Sequence, residues 1–203
     1  MNCLWVTDRR APGGDRMDEI LDALRGADHL WVEIREKEAP DREVLERVRD
    51  ARARLGPSVP LSVNRRFDIA IAADADGVHL PADGIPLARV RANTPRGFRI
   101  GVSTHSAAEA EQAIEAGADV VVIGPVFETP SKAAWGPPLG LAALESLPPL
   151  SGHGAQVFAI GGMAEERLGD LDALRDRVSG VAAVRMFQES PDPRAVVERI
   201  AAR

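Results

Sequence analysis

The sequence predicts a single (β/α)8 TIM barrel, an α/β fold with eight parallel strands. Three observations favour it. Short apolar runs alternate with longer amphipathic runs along the chain, and the apolar runs number eight. These runs are rich in Val, Ile, Leu and Ala without strict alternation, as is typical of strands covered on both faces. No Gly-rich dinucleotide fingerprint follows the first run, which disfavours the alternative, an open doubly wound sheet.

The eight predicted strands are short and separated by segments long enough for helices. They span residues 3–7, 29–34, 59–63, 77–80, 99–102, 120–123, 156–160 and 181–184. Eight strand-and-helix units in 203 residues leave about 25 residues per unit, which makes a minimal barrel.

Helical periodicity predicts the intervening elements. They span residues 41–55, 106–116, 165–178 and 192–202, with one short segment at 68–73. Ser106 and Glu109 have the spacing of a capping box, and Gly117 follows as a C-cap. We expect residues 1–203 to form one domain, because no linker or second domain interrupts the pattern.

Composition and charge narrow the function classes. Apolar residues make up 45% and charged residues 28%, as in an ordinary globular protein. No apolar run approaches the roughly 20 residues of a membrane helix, and residues 1–7 lack a signal-peptide pattern. The expected location is cytoplasmic, with no membrane partner. A net charge of −6 argues against nucleic acid as a partner. Cys3 lies in an apolar run, which predicts a buried thiol.

Working residues of such barrels cluster just after each strand, at the carboxyl ends. The polar and glycine residues at these places are therefore the candidates for a site. They are Glu33, Arg35, Lys37, Asn64, Arg65, His105, Glu128, Thr129, Ser131, Lys132, Gly161, Gly162 and Arg185. His79 and Ser103 also lie at strand ends, without an assigned role.

Gly161 and Gly162 follow the seventh strand, where backbone N–H groups of these barrels bind phosphate. Glycine lets the backbone approach a phosphate closely, and Arg185 after the eighth strand can add a charge-assisted fork. The alternative is that the glycine pair forms only a tight turn.

Two further sets of cationic side chains each allow two interpretations. Arg35 and Lys37 lie two apart at the end of the second predicted strand, so an extended chain there puts them on one face. That face is either a cationic site at the barrel mouth or a surface with salt bridges to Glu36 or Glu38. Lys132 lies in the long loop 124–140, which is either functional or a connector.

Seven segments, in their order along nearly the whole chain, resemble the thiamin phosphate synthase/TenI family. They are WVTDR at 5–9, VEIREK at 32–37, NRRFD at 64–68, ADGVHL at 75–80, IGVSTHS at 100–106, GPVFETPSK at 124–132 and AIGG at 159–162. The resemblance implies a phosphate-binding barrel of thiamin biosynthesis. Its partner would be a thiazole phosphate or thiamin phosphate, and a homodimer is left open.

The synthase branch of this family joins a pyrimidine diphosphate to a thiazole phosphate, with Mg²⁺ holding the diphosphate. This chain departs from that pattern where the metal binds. Glu33 replaces a Gln, Arg65 replaces an Asp that is a metal ligand, and the second ligand position falls on Gly84. Asp83 is one residue away. Because Mg²⁺ prefers oxygen ligands including carboxylates, a guanidinium at this place cannot coordinate it.

The TenI branch lacks these ligands and shifts a proton in a thiazole carboxylate phosphate without a metal. Leu80-Pro81 and residues 126–129 are similar to that branch, although its prototype has a histidine where this chain has Pro125.

A tautomerase needs an acid or base, and the candidates here are Glu33, His105 and Glu128. For His105 the alternative is a structural hydrogen bond that caps the next helix. The main hypothesis is a TenI-like tautomerase without a metal cofactor. The alternatives are a synthase with an altered Mg²⁺ site that uses Asp83, and a non-catalytic thiamin-phosphate-binding regulator.

Overall fold

The computed structural model describes residues 1–129 and 136–203 and contains a closed barrel of eight parallel strands in sequence order. The strands are β1 (Asn2–Val6), β2 (Leu30–Ile34), β3 (Leu61–Asn64), β4 (Gly77–Leu80), β5 (Arg99–Thr104), β6 (Val120–Ile123), β7 (Gln156–Ile160) and β8 (Gly180–Ala183). The barrel closes where β8 pairs with β1. The predicted (β/α)8 fold is confirmed, and each predicted strand boundary lies within two residues of the observed one.

Helices follow the strands and cover the barrel. They are α1 (Met17–Ala23), α2 (Asp41–Leu55), α3 (Phe67–Ala72), α4 (Leu87–Arg91), α5 (Ala107–Glu115), α6 (Gly140–Glu145), α7 (Arg185–Gln188) and α8 (Pro193–Ala201). In residues 1–129 and 136–203, 3₁₀ helices span Gly14–Arg16, Leu150–Gly152 and Glu165–Leu174. Within the described residues, no helix is long and apolar enough to cross a membrane.

The segment after β7 differs from the α-helix predicted at 165–178, because it is a 3₁₀ helix. Its buried residues are Leu168, Leu171 and Leu174, which recur every three residues. A 3₁₀ helix has three residues per turn, so this spacing puts all three leucines on the face against the barrel. An α-helix would turn them progressively away from that face.

The cap of α5 agrees with the prediction. The Ser106 hydroxyl accepts a hydrogen bond from the Glu109 backbone N–H at 3.1 Å. The Glu109 carboxylate accepts from the backbone N–H of His105 at 2.7 Å, one residue before the cap. Gly117 follows the helix with φ +85°, a left-handed conformation that favours glycine at a C-cap.

The inner surface of the barrel is divided into an apolar half and a polar half. Side chains alternate between the two faces of each strand. The strands β1 and β6–β8 contribute a separate apolar cluster with Leu4, Val6, Val120, Val122, Phe158 and Ala182. In register with these residues, β2–β5 contribute Glu33, Ser62, Asn64, His79 and Ser103. The polar half therefore occupies one side of the barrel.

Candidate active site

Glu33 is a buried carboxylate at the carboxyl end of β2. Its side chain is 2% exposed. Its Oε1 accepts a hydrogen bond from Asn64 Nδ2 on β3 at 2.9 Å, and its Oε2 lies 3.8 Å from His79 Nδ1 on β4. Burying a carboxylate is costly unless its oxygens have polar partners, and here the Asn64 amide supplies a hydrogen bond to one oxygen while the His79 ring lies next to the other.

His79 joins this carboxylate to a hydroxyl on the next strand. Its Nε2 lies 2.8 Å from Ser103 Oγ on β5. Gly101 lies beside His79 in the strand register, and a Cβ atom there would be only 2.5 Å from His79 Nδ1. Because Gly101 has no side chain, the imidazole of His79 has room to pack beside it.

Glu33, Asn64, His79 and Ser103 form one connected group, which we call the interior polar cluster. Glu33 and Asn64 are among the residues that the sequence predicts for the site, whereas His79 and Ser103 have no predicted role. The signal that could have found them is a polar residue at an inward position of an otherwise apolar strand. That signal needs the strand register, which pairs Asn64 with His79 and His79 with Gly101.

Arg65 follows Asn64 in the sequence, but its side chain pairs with a residue outside this cluster. Its backbone has φ +65°, and its N–H donates to the carbonyl of His79 at 2.8 Å. Its Nη2 lies 2.9 Å from Asp83 Oδ1, and the two side chains are 53% and 81% exposed. The guanidinium and the Asp83 carboxylate thus form an exposed ion pair at the carboxyl ends of β3 and β4.

Arg35 and Lys37 do not share a strand face as predicted, because β2 ends at Ile34. Arg35 pairs with Asp8 across the ends of β1 and β2, with 2.9 Å between Nη1 and Oδ2. The expected alternative partners are engaged elsewhere, since Glu36 pairs with Arg9 and Glu38 with Arg10. Lys37 is exposed.

His105 and Glu128 lie apart from Glu33, so the structure does not join the three acid–base candidates. Both are exposed at the rim of the barrel. His105 Nδ1 lies 2.8 Å from the Gly124 carbonyl oxygen, which can only accept a hydrogen bond. The ring therefore donates to the end of β6 and ties the ends of β5 and β6 together.

Gly161 and Gly162 have φ +95° and +64°, which favour glycine. A Cβ at Gly161 would lie 2.5 Å from Pro125 Cα, and one at Gly162 would lie 2.5 Å from the Glu128 carbonyl oxygen. The pair therefore lets the loop after β7 pack closely against the loop after β6.

The remaining candidates lie around the same mouth. Arg185 begins α7 and is exposed, and its guanidinium has no ion pair within residues 1–129 and 136–203. Thr129 is half-buried in the loop after β6. Ser131 and Lys132 lie outside the described residues.

The fold and the interior polar cluster define a (β/α)8 barrel with titratable groups at the carboxyl ends of its strands. Residues 3–187 match the TMP-TENI family model, described as thiamine monophosphate synthase, and the chain belongs to this family. The family resemblance in the sequence is confirmed.

Relatives and a solved structure agree with this membership. The chain is 38% identical over 192 residues to a putative thiamine-phosphate synthase of Geobacter sulfurreducens, covering 93% of this chain and 87% of the relative. It is 36% identical over 203 residues to a thiamine-phosphate synthase of Roseiflexus sp., covering 96% and 81%. Its fold matches thiamine phosphate pyrophosphorylase from Pyrococcus furiosus with a TM-score of 0.77 and 29% identity, covering 99% and 94%. These names support the synthase alternative better than the tautomerase hypothesis.

The residues at the expected Mg²⁺ positions do not fit the ion. Arg65 and Gly84 stand at the two ligand positions of the synthase pattern, and the neighbouring Asp83 is paired with Arg65. In the described part of the chain, no three His, Cys, Asp or Glu side chains are grouped so that they could hold a metal. Mg²⁺ needs oxygen ligands in near-octahedral geometry, and a guanidinium at this place opposes it in charge.

Proposed function

We propose that the protein is a cytoplasmic enzyme of thiamin biosynthesis that binds a thiazole phosphate in the barrel mouth and isomerises it by proton transfer, without a metal. The observation that carries this proposal is the ion pair of Arg65 with Asp83. It puts a guanidinium, which cannot coordinate a metal, where the synthase pattern has a carboxylate that holds Mg²⁺. A proton shift needs no such ion, whereas release of a diphosphate in the synthase reaction depends on it.

The divided inner surface supports a ligand that is apolar on one side and polar on the other. Val122 on β6, Ile160 on β7 and Val184 just after β8 belong to the apolar cluster inside the barrel, and β2 to β5 contribute the interior polar cluster. A heteroaromatic ring between these halves would bury its faces against aliphatic groups. Its hydrogen-bonding edge would lie toward Asn64 and Ser103.

The phosphate of this ligand would lie at the glycine pair after β7. Gly161 and Gly162 leave backbone exposed to an anion because they have no side chains. The cationic and hydroxyl candidates around the mouth would complete the anion site. They are Arg35, Lys37, Arg65, Arg185, Thr129, Ser131 and Lys132.

The test is aromatisation of thiazole carboxylate phosphate, followed by ultraviolet absorbance with EDTA and with added Mg²⁺. The expected result is turnover at the same rate in both. A rate that appears only with Mg²⁺ would contradict the proposed mechanism. Tight binding of the thiazole phosphate without any turnover would instead favour a non-catalytic regulatory protein.

A second candidate is thiamin phosphate synthase itself, which the names of the relatives favour. In this case Asp83 would have to leave Arg65 and hold the ion together with the substrate diphosphate. The test is formation of thiamin phosphate from the two synthase substrates over a range of Mg²⁺ concentrations. Formation of thiamin phosphate by the wild type and its loss in the Asp83→Ala variant would support this candidate. No product at any Mg²⁺ concentration excludes it.

A further inference from the structure

Three side chains of the interior polar cluster contact one another in turn, from Glu33 through His79 to Ser103. Glu33 and His79 are buried, at 2% and 4% exposure, and Ser103 is half-buried. We propose that these residues form a proton relay, which we call the Glu33–His79–Ser103 relay. Ser103 is the catalytic residue that touches the ligand, His79 carries the proton, and Glu33 is a positioning residue. The inference rests on the proposed function, since it supplies the group that moves the proton.

Hydrogen-bonding capacity sets the direction of the relay. The amide Nδ2 of Asn64 can only donate, so Glu33 Oε1 is occupied as an acceptor. Glu33 Oε2 then faces His79 Nδ1 at 3.8 Å and favours the proton on that nitrogen. His79 Nε2 is left as the acceptor, and the hydroxyl of Ser103, 2.8 Å away, donates to it. The remaining lone pairs of Ser103 Oγ are available to a proton of the ligand.

The proton transfer balances without any further reactant. The covalent bond between a ligand atom and its hydrogen breaks, and the electron pair of that bond stays on the ligand. The released proton forms a new bond with Ser103 Oγ. At the same time, the original Ser103 O–H bond breaks and its proton forms a bond with His79 Nε2. Reversal of these two steps delivers a proton to a different ligand atom. The ligand is isomerised, and the relay returns to its starting state.

Charge and space favour a relay over a static polar core. The imidazolium formed in the first step would lie beside the buried carboxylate of Glu33, which stabilises it in a low-dielectric site. Gly101 leaves room for the imidazole ring of His79, because a Cβ atom at residue 101 would lie only 2.5 Å from His79 Nδ1. A purely structural cluster has no need of an exposed end, whereas this one reaches the mouth through Ser103.

The first experiment measures the protonation of His79 directly. In ¹⁵N-labelled full-length protein at neutral pH, NMR should show His79 protonated on Nδ1 and unprotonated on Nε2. The variants Glu33→Gln and Gly101→Ala should weaken this preference, and thiazole phosphate should shift the Nε2 resonance. The control is His29→Asn, a change at an exposed histidine with φ +59° in the loop before β2. It should leave the His79 signals unchanged.

The second experiment separates catalysis from binding. Ser103→Ala and His79→Gln should each lower kcat for aromatisation by about 10²- to 10⁴-fold, the usual contribution of a positioned acid or base. The affinity for thiazole phosphate should fall far less than kcat, and Ser103→Thr should restore part of kcat because it returns the hydroxyl. Thermal unfolding of each variant shows whether the barrel is intact.

Failure of the relay and failure of the proposed function give different results. His79 protonated on Nε2 in the wild type, or a Ser103→Ala variant with wild-type kcat, would overturn the relay. Absence of turnover by the wild type would contradict the isomerase instead. In that case NMR can still overturn the relay, because a proton on His79 Nε2 would contradict it without any reaction being measured.

Discussion

Arg65 Nη2 lies 2.9 Å from Asp83 Oδ1. The Asp83 carboxylate is therefore paired with a guanidinium at the place where the family's synthase pattern binds Mg²⁺. The ion pair is exposed and therefore contributes little to stability. Its effect is electrostatic, because the guanidinium opposes the approach of a metal cation to the carboxyl ends of β3 and β4. The proposed metal-independent reaction and the synthase alternative therefore differ in whether this ion pair must open.

The first prediction is that Arg65→Asp creates affinity for Mg²⁺ that the wild type lacks. The change puts a second carboxylate beside Asp83, and Asp tolerates the left-handed backbone with φ +65°. A Kd of about 1 mM would stabilise the variant by about 1.4 kcal/mol at 10 mM Mg²⁺. Thermal unfolding with increasing MgCl₂ measures this, with NaCl at equal ionic strength as reference.

Arg42→Asp is the matched control for this charge reversal. Arg42 is an exposed arginine on α2 that pairs with Glu46 at the next helical turn. Its variant should show no Mg²⁺-dependent rise in Tm. A saturable rise in the wild type would show that Asp83 binds the ion in spite of Arg65.

The fold could be predicted from the sequence because each strand carries its own local signal. Runs such as Val120–Ile123 are apolar on both faces, and Ser106 with Glu109 marks the start of α5. The 3₁₀ helix Glu165–Leu174 was mistaken for an α-helix, since leucines three residues apart are compatible with either.

The candidate site was predictable only in part, because it depends on which strands face each other. Glu33 and Asn64 could be selected as polar residues at strand ends. Their connection to His79 and Ser103 comes from the register of β2 to β5, which no local pattern encodes. The pairing of Arg65 with Asp83 likewise joins residues after two different strands.

The second prediction concerns Gly162, where Ala should destabilise the protein by about 2 kcal/mol or more. The residue has φ +64°, and a Cβ would lie 2.5 Å from the Glu128 carbonyl oxygen and 2.7 Å from Phe127 Cβ. Urea unfolding measures the loss. Gly152→Ala is the control, because nothing lies within 4 Å of a Cβ there. Equal stability of the two variants would show that the loops after β6 and β7 do not pack as described.

The third prediction is that Cys3 does not react in the native protein. Burial raises the pKa of its thiol from 9.0 to about 12, although the positive N-terminus opposes this shift. The thiolate is the reactive form, so its population near neutral pH is about 1000-fold below that of an ordinary thiol. Dithionitrobenzoate should label Cys3 only after denaturation. Rapid labelling of the folded protein would contradict the burial of β1.

The fourth prediction is that Glu36→Gln becomes more favourable to stability, relative to the wild type, as pH rises from acidic to neutral. The Glu36 side chain is only 4% exposed, between Thr7 and Arg9. Burial raises the pKa of Glu36 above its usual value, although the hydrogen bond from Thr7 and the charge of Arg9 oppose the shift. A raised carboxyl pKa favours folding while the group is protonated, and this contribution is lost as pH rises through the folded-state pKa.

Glu36→Gln removes this pH dependence, so the difference in unfolding free energy between variant and wild type should widen from about pH 4.3 upward. Urea unfolding between pH 4 and 7.5 measures it. Glu38→Gln is the matched control, because that carboxylate is 59% exposed and pairs with Arg10. A difference that stays constant over this pH range would mean that the pairing with Arg9 and Thr7 fully offsets the burial of Glu36. If the difference instead narrows with rising pH, the carboxylate is stabilised by its surroundings, and the pKa shift has the opposite sign.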